Sequence, residues 1–172
     1  MQPRYEHRQV RQRTKTPEIG ALDAGLNLLS RRAHSRVEIR RKLGRRGYGE
    51  EEVESTVTRL VELGYLDDRA FAKGHVRRRS SGLGRLAISA ELAARGVDRA
   101  VADEALGGLD ADAQLASATR LAERLFGRKA FPGFREMLNS VGPKLMRRGF
   151  SPGVVRSACL AVWDGTLRDG EA

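Results

Sequence analysis

The sequence predicts an all-α protein: an elongated tandem array of three three-helix repeats. Three observations carry this. The phrase Leu-x-x-Arg-Gly-apolar occurs three times, as Leu43 to Tyr48, Leu92 to Val97 and Leu145 to Phe150. Its glycines, Gly47, Gly96 and Gly149, are spaced by about fifty residues, a period that marks repeated supersecondary units. Apolar residues recur at three- and four-residue steps, the spacing of a helix face. No run of β-branched residues alternates with polar ones, so essentially no sheet is expected. The expected division is a disordered basic arm over 1–17 and repeats over 18–66, 67–109 and 110–172.

The elements follow in order. Leu22, Leu26 and Leu29 share one face of a helix expected from Glu18 to Arg32. Ser35 and Glu38 form a capping box, each side chain satisfying a backbone N–H of the other. The helix they open turns Ile39 and Leu43 inward and stops at Gly47, placed for a left-handed cap. Glu50, Glu51 and Glu52 start a third helix, where negative charge suits the helix dipole. Its core stripe is Val53, Val57, Leu60 and Val61, and Gly64 ends it. In the second repeat Asp67 or Asp68 caps a helix bearing Phe71, Ala72 and Val76. After the break at Ser81 to Gly84 comes a helix with Ile88 and Leu92, ended by Gly96. Asp98 caps a short helix with Val101, Ala105 and Leu106. The third repeat starts at Asp110, with Leu115, Ala118, Leu121 and Leu125 inward. Pro132-Gly133 breaks the chain before a helix carrying Phe134, Leu138, Val141 and Leu145. Gly142-Pro143 should kink or interrupt that helix before Gly149 ends it. Ser151-Pro152 opens the last helix, with Val154, Val155, Ala158 and Val162 inward and fraying expected beyond Trp163.

Charge bounds the partners. Lys plus Arg outnumber Asp plus Glu by 32 to 22, a formal net charge of +10. The pI near 10.7 is one footprint of a nucleic-acid partner. Residues 1–17 hold five of the basic residues against one acidic one. A single cysteine, Cys159, permits no internal disulfide, which fits a reducing, cytoplasmic setting. No apolar run approaches the roughly 18–20 residues of a membrane span. The N-terminus lacks the apolar core of a signal peptide. A monomer is expected.

Candidates for chemistry are few. His7, His34 and His75 have no Cys, Asp or Glu at metal or catalytic spacing. Asp67-Asp68 could hold a magnesium ion, but a helix cap accounts for the pair. No glycine-rich phosphate loop is present, and Gly82-Leu-Gly84 is too short for one. An enzyme is disfavoured, and neither cofactor nor metal is expected. The basic clusters are the better candidates: Arg31 and Arg32, Arg40, Arg41 and Lys42, Arg45 and Arg46, Arg77 to Arg79, and Arg147 and Arg148, with Arg85 beside them. Most lie at helix C-termini, where one cation relieves the dipole. A triple such as Arg77-Arg78-Arg79 exceeds that need, because successive residues project about 100° apart. The planar guanidinium suits bidentate contact with phosphate or carboxylate. The helix pair from Ser35 to Gly64 has a helix-turn-helix outline. Yet Glu50, Glu51, Glu52 and Glu54 on its second helix would repel the phosphates, so groove reading is not expected.

Several stretches together resemble the RecX family, bacterial regulators of the RecA recombinase. They are His34 to Leu43 with Arg46-Gly47-Tyr48, Gly64 to Ala72, Glu91-Leu92 with Arg95-Gly96-Val97, and Arg147 to Ser151. Gly64-Tyr-Leu-Asp-Asp-Arg-Ala-Phe-Ala72 is the most specific, and the likeness spans roughly residues 20–165. Ile39 stands where the family usually has leucine, and Ser80 to Arg85 carries a leucine where a more basic loop is common. The resemblance implies tandem three-helix repeats and no catalytic residues. It implies binding along the groove of RecA–DNA filaments, hindering filament growth, ATP hydrolysis and strand exchange. DNA, single- or double-stranded, would be touched through its phosphates. Charge alone supports an alternative, a free-standing basic DNA-binding protein. Ser35, Glu38, Gly47, Asp67, Asp68, Phe71, Gly96 and Gly149 are expected to act structurally.

Overall fold

The computed structural model describes residues 18–127 and 131–169, with residues 165–169 described as backbone. The arm expected over 1–17 lies outside the described residues. Among the described residues the chain forms nine helices and no strand: α1 (Ala21–Leu29), α2 (Arg36–Gly44), α3 (Glu50–Glu62), α4 (Asp68–Arg79), α5 (Arg85–Ala94), α6 (Arg99–Gly107), α7 (Ala111–Phe126), α8 (Phe134–Arg147) and α9 (Pro152–Asp169).

Side-chain chemistry sets most starts. The Ser35 hydroxyl accepts from the Glu38 N–H at 3.1 Å and the Glu38 carboxylate from the Ser35 N–H at 3.3 Å, the expected capping box. Asp67, Asp98 and Asp110 cap α4, α6 and α7. The repeated phrase closes the middle helix of each unit. In α5 and α8 its leucine carbonyl accepts the N–H five positions on: Val97 to Leu92 at 3.1 Å and Phe150 to Leu145 at 3.4 Å. The glycine between is left-handed, with φ of 72° at Gly96 and 82° at Gly149, and 93° at Gly47 in α2. The phrase is therefore a Schellman turn, which needs a residue without Cβ at one position and joins apolar residues on either side of it.

Three separate cores form, one per trio of helices. Ile39, Leu43, Val57 and Leu60 anchor the first. Phe71, Ile88, Leu92 and Leu106 anchor the second. Met137, Val141, Leu145 and Phe150 anchor the third. The extensive helix contacts all fall within one trio: α1 with α2 and α3, α4 with α5 and α6, α7 with α8 and α9. The array is held in series by its junctions. The start of α2 sits on the closing turn of α5, where the Ser35 hydroxyl donates to the Arg95 carbonyl at 2.5 Å. The start of α5 sits likewise on the closing turn of α8. There the N–H groups of Gly84 and Leu86 donate to the carbonyls of Arg148 and Gly149 at 2.8 and 3.1 Å. The electropositive start of one middle helix thus meets the electronegative end of the next.

Four details differ from expectation. α1 is shorter than Glu18 to Arg32, and it buries Ala21, Ala24, Gly25 and Leu28 rather than the Leu22 stripe. Leu22 is 36% exposed, while Leu26 and Leu29 are partly buried. Small residues win this face because α1 presses close on α3: a Cβ on Gly25 would lie 2.9 Å from Leu60 Cδ1. α8 runs uninterrupted through Pro143, which lies on its exposed side, where a carbonyl left without its donor can meet water. α9 continues past Trp163 to Asp169. Asp68 caps a helix other than its own, as the next subsection describes.

Candidate functional site

The junction of the first two units gathers Arg32, Glu38, Asp68 and Arg95. Glu38, placed by the capping box, is only 4% exposed. Arg32 holds it bidentately at 3.1 Å from each nitrogen, and Arg95 reaches the same carboxylate from the second unit at 2.9 Å. Burial alone would raise the Glu38 pKa. The Arg32 hydrogen bonds, the Ser35 N–H and the charges of Arg32 and Arg95 outweigh it and hold the carboxyl below its usual range. Asp68 accepts the Arg36 N–H at 2.9 Å, capping α2 from across the junction. Of the acidic pair, Asp67 caps its own helix and Asp68 its neighbour's.

A second ionic knot lies beside the first. His75, buried on α4, shares a 2.7 Å hydrogen bond with Glu91 on α5, and Arg79 chelates the same carboxylate through Nε at 2.9 Å and Nη2 at 2.5 Å. Burial pulls the His75 pKa down despite the Glu91 contact, so the ring is neutral at physiological pH. The Arg79 hydrogen bond is the main cause that holds Glu91 low. Between the two knots opens a cleft of about 610 Å³, walled by Arg32, Arg78, Arg79 and Arg95 over Phe71 and His75. Arg78 has no carboxylate partner among the described residues. Glu91 lines the cleft too, and with Glu38 it pairs three of the four guanidiniums, so the positive charge left over is centred on Arg78.

The other sequence-predicted arginines are spread along the chain. Arg40 pairs with Glu54 at 2.6 Å, which also occupies one of the carboxylates weighed against groove reading. Arg46 donates to the Ala24 carbonyl at 3.3 Å, Arg85 to that of Leu106 at 2.7 Å, and Arg148 to that of Gly82 at 3.4 Å. Arg41, Arg45, Arg77 and Arg147 are exposed, with no side-chain partner among the described residues. Arg78 and Arg79 alone of the predicted set meet in the cleft. Sequence reasoning counted Arg32 only as part of the Arg31-Arg32 cluster, set His75 aside and passed over Glu91 and Arg95 as site residues. Arg32 carried the signal of its cluster, and Arg95 that of the repeated phrase.

Among the described residues, no group of three or more His, Cys, Asp or Glu could hold a metal ion. No helix among them is long and apolar enough to cross a membrane. Cys159 is buried in the third core, where desolvation raises its pKa and keeps it a thiol.

Fold and site together define a tandem three-helix repeat protein with an arginine-walled junction. Residues 21–60 match the model of the first three-helix domain of RecX, and residues 67–106 that of the second. The regulatory protein RecX of Halorhodospira halophila is 41% identical over 141 residues, 81% of this chain and 86% of that protein. The RecX of Stenotrophomonas maltophilia strain K279a is 37% identical over 152 residues, 88% of this chain and 90% of its own. The crystal structure of RecX from Lactobacillus salivarius superposes with a TM-score of 0.76 at 25% identity, covering 83% of this chain and 94% of that one. The chain belongs to the RecX family.

Proposed function

We propose that this chain is a non-enzymatic, mainly negative regulator of RecA. It binds the RecA–DNA filament and limits its extension, ATP hydrolysis and strand exchange in repair and recombination. The observation that carries the reading is membership of a family whose curated relatives are named regulatory proteins. The net charge of +10 supports a polyanionic partner, and the arginine-walled junction supplies a place for an anion. The proposed contacts are the arginines without an ion-pair partner among the described residues: Arg41, Arg45, Arg77, Arg78 and Arg147. Arg40 and Arg79 take part in ion pairs first and reach a partner only at the edge of those pairs. The protein acts in the cytoplasm, where the filament is.

The test is RecA ATP turnover on single-stranded DNA. Turnover is expected to fall with the protein present at less than one copy per RecA. Unchanged turnover at equimolar protein refutes the proposal. The doubly reversed variant Arg77→Glu, Arg78→Glu spares Arg79, so the Glu91 knot stays intact. It is expected to need several-fold more protein for the same inhibition at unchanged helicity.

A further inference from the structure

The turn that closes α3 has the same construction as those that close α5 and α8. Gly64 is left-handed at φ 74°, and the Tyr65 N–H returns to the Leu60 carbonyl at 3.0 Å. The residue after such a glycine ordinarily folds back onto the helix it ends. Tyr48, Val97 and Phe150 do so and are 7%, 6% and 2% exposed. Tyr65 stands out at 60% exposed, because the next residue, Leu66, takes the inward place at 1%. The tyrosine ring makes no hydrogen bond and no ring stack among the described residues. A short turn therefore holds much of an aromatic ring in solvent.

Its surroundings are specific. Tyr65 borders a hollow of about 200 Å³ together with Phe71, Arg78 and Asp67, whose carboxylate is engaged by the Arg69 and Ala70 N–H groups. Phe71, Arg78 and Ala33 also line the arginine-walled cleft of about 610 Å³, so hollow and cleft share a wall. On its other side Tyr65 borders a shallow apolar depression with Leu26 and Leu29. The groove is thus aromatic at one end and cationic at the other. Arg78 is the cation without a carboxylate partner, while Arg32 and Arg95 share Glu38.

We propose that this groove binds single-stranded DNA directly, with one base stacked on Tyr65 and the adjoining phosphate held by Arg78. Arg32 and Arg95 form the far wall along which the backbone continues. An exposed ring beside unpaired guanidinium is the combination that single strands use, since every base offers a π-face and every link a charge. A duplex keeps its bases stacked on one another and has no free face for Tyr65. An acidic protein surface would use Arg78 but gain little from the ring. The choice of DNA as the strand rests on the filament reading above, but the site is tested without RecA.

The experiment is fluorescence anisotropy of the full chain with a labelled oligothymidylate and with a labelled duplex of the same length. Tyr65→Ala is expected to weaken single-strand binding about tenfold, the loss of one stacked base, and to leave duplex binding near wild type. Tyr65→Phe keeps the ring and is expected to keep the affinity. Arg78→Ala should weaken single-strand binding and lower its salt slope by about 0.7, one phosphate. Absence of single-strand binding by the wild type, an unchanged Tyr65→Ala, or an equal loss on the duplex each overturns the proposal. If Tyr65→Ala retains DNA affinity but no longer inhibits RecA, the ring docks on protein: the groove proposal falls and the filament reading stands. If the DNA results hold while the wild type leaves RecA turnover unchanged, the filament reading falls and the groove stands. Tyr65 is exposed enough that matching circular dichroism of variant and wild type is expected.

Discussion

Ionisable residues at and beside the junction, Glu38 across it and His34, His75 and Glu91 within single units, carry a pH signature. Burial holds His34 and His75 below the ordinary histidine value of 6.5. The folded state therefore prefers them neutral, while the unfolded chain takes up protons first as pH falls. Their stabilising share is whole above pH 6.5 and is lost as pH drops through the folded values. Glu38 and Glu91 are held below the ordinary 4.5, so their share is whole above pH 4.5 and is lost further down. Urea denaturation is expected to show stability flat above pH 6.5, declining below it, and declining again below pH 4.5. At neutral pH Glu38→Gln is expected to cost about 2 kcal/mol, less than a fully buried pair because Arg32 and Arg95 stay partly exposed. A flat profile, or an unaffected variant, would remove the junction charges from the stability of the fold. At this scale legibility followed sequence distance. The Ser35–Glu38 box was readable because both partners sit within one turn. The roles of Asp68, Arg95 and Glu91 were not, because Arg36, Glu38 and His75 lie 32, 57 and 16 residues away.

At the scale of elements, the repeated phrase was the strongest signal and its meaning was only half visible. The glycine as a left-handed stop was evident from the leucine before it and the apolar residue after it. Its second task, admitting the preceding unit (the Val37 side chain at Gly96, the Ala87 backbone at Gly149), was hidden because the approaching segment lies far off in sequence. A Cβ on Gly149 would lie 2.2 Å from the Ala87 nitrogen, whereas one on Gly64 would meet nothing within 4 Å. Both glycines are left-handed, so the pair separates strain from crowding. Gly64→Ala is expected to cost about 1–2 kcal/mol, the left-handed penalty alone. Gly149→Ala should cost clearly more, since backbone must move as well, and thermal melts will rank the two. Equal costs would mean that the α5–α8 join yields easily. The face of α1 was misjudged for a different reason. Leu22-Leu26-Leu29 and Ala21-Ala24-Gly25-Leu28 both keep helical spacing, and only the closeness of α3 decides between them.

For the whole molecule, three cores in series leave no common centre. A rounded chain of this length would have a radius of gyration of about 16 Å. Small-angle scattering is expected to give a clearly larger value, and a value at the globular figure would contradict the serial arrangement. The all-helical repeat itself was legible from composition and period, because each unit closes its own core from nearby residues. How the units lean on one another was not, since that depends on a handful of polar joins rather than on any apolar pattern.

Those joins have a directional consequence. Each middle helix offers donors at its beginning and acceptors at its end, so the stacking of α2 on α5 and α5 on α8 has a sense, like arrows on a line. Because the central trio carries both halves of the connection, duplicating it in tandem would lengthen the protein without a new kind of joint. The reach of such a molecule is then a matter of counting, set by how many copies a gene strings together.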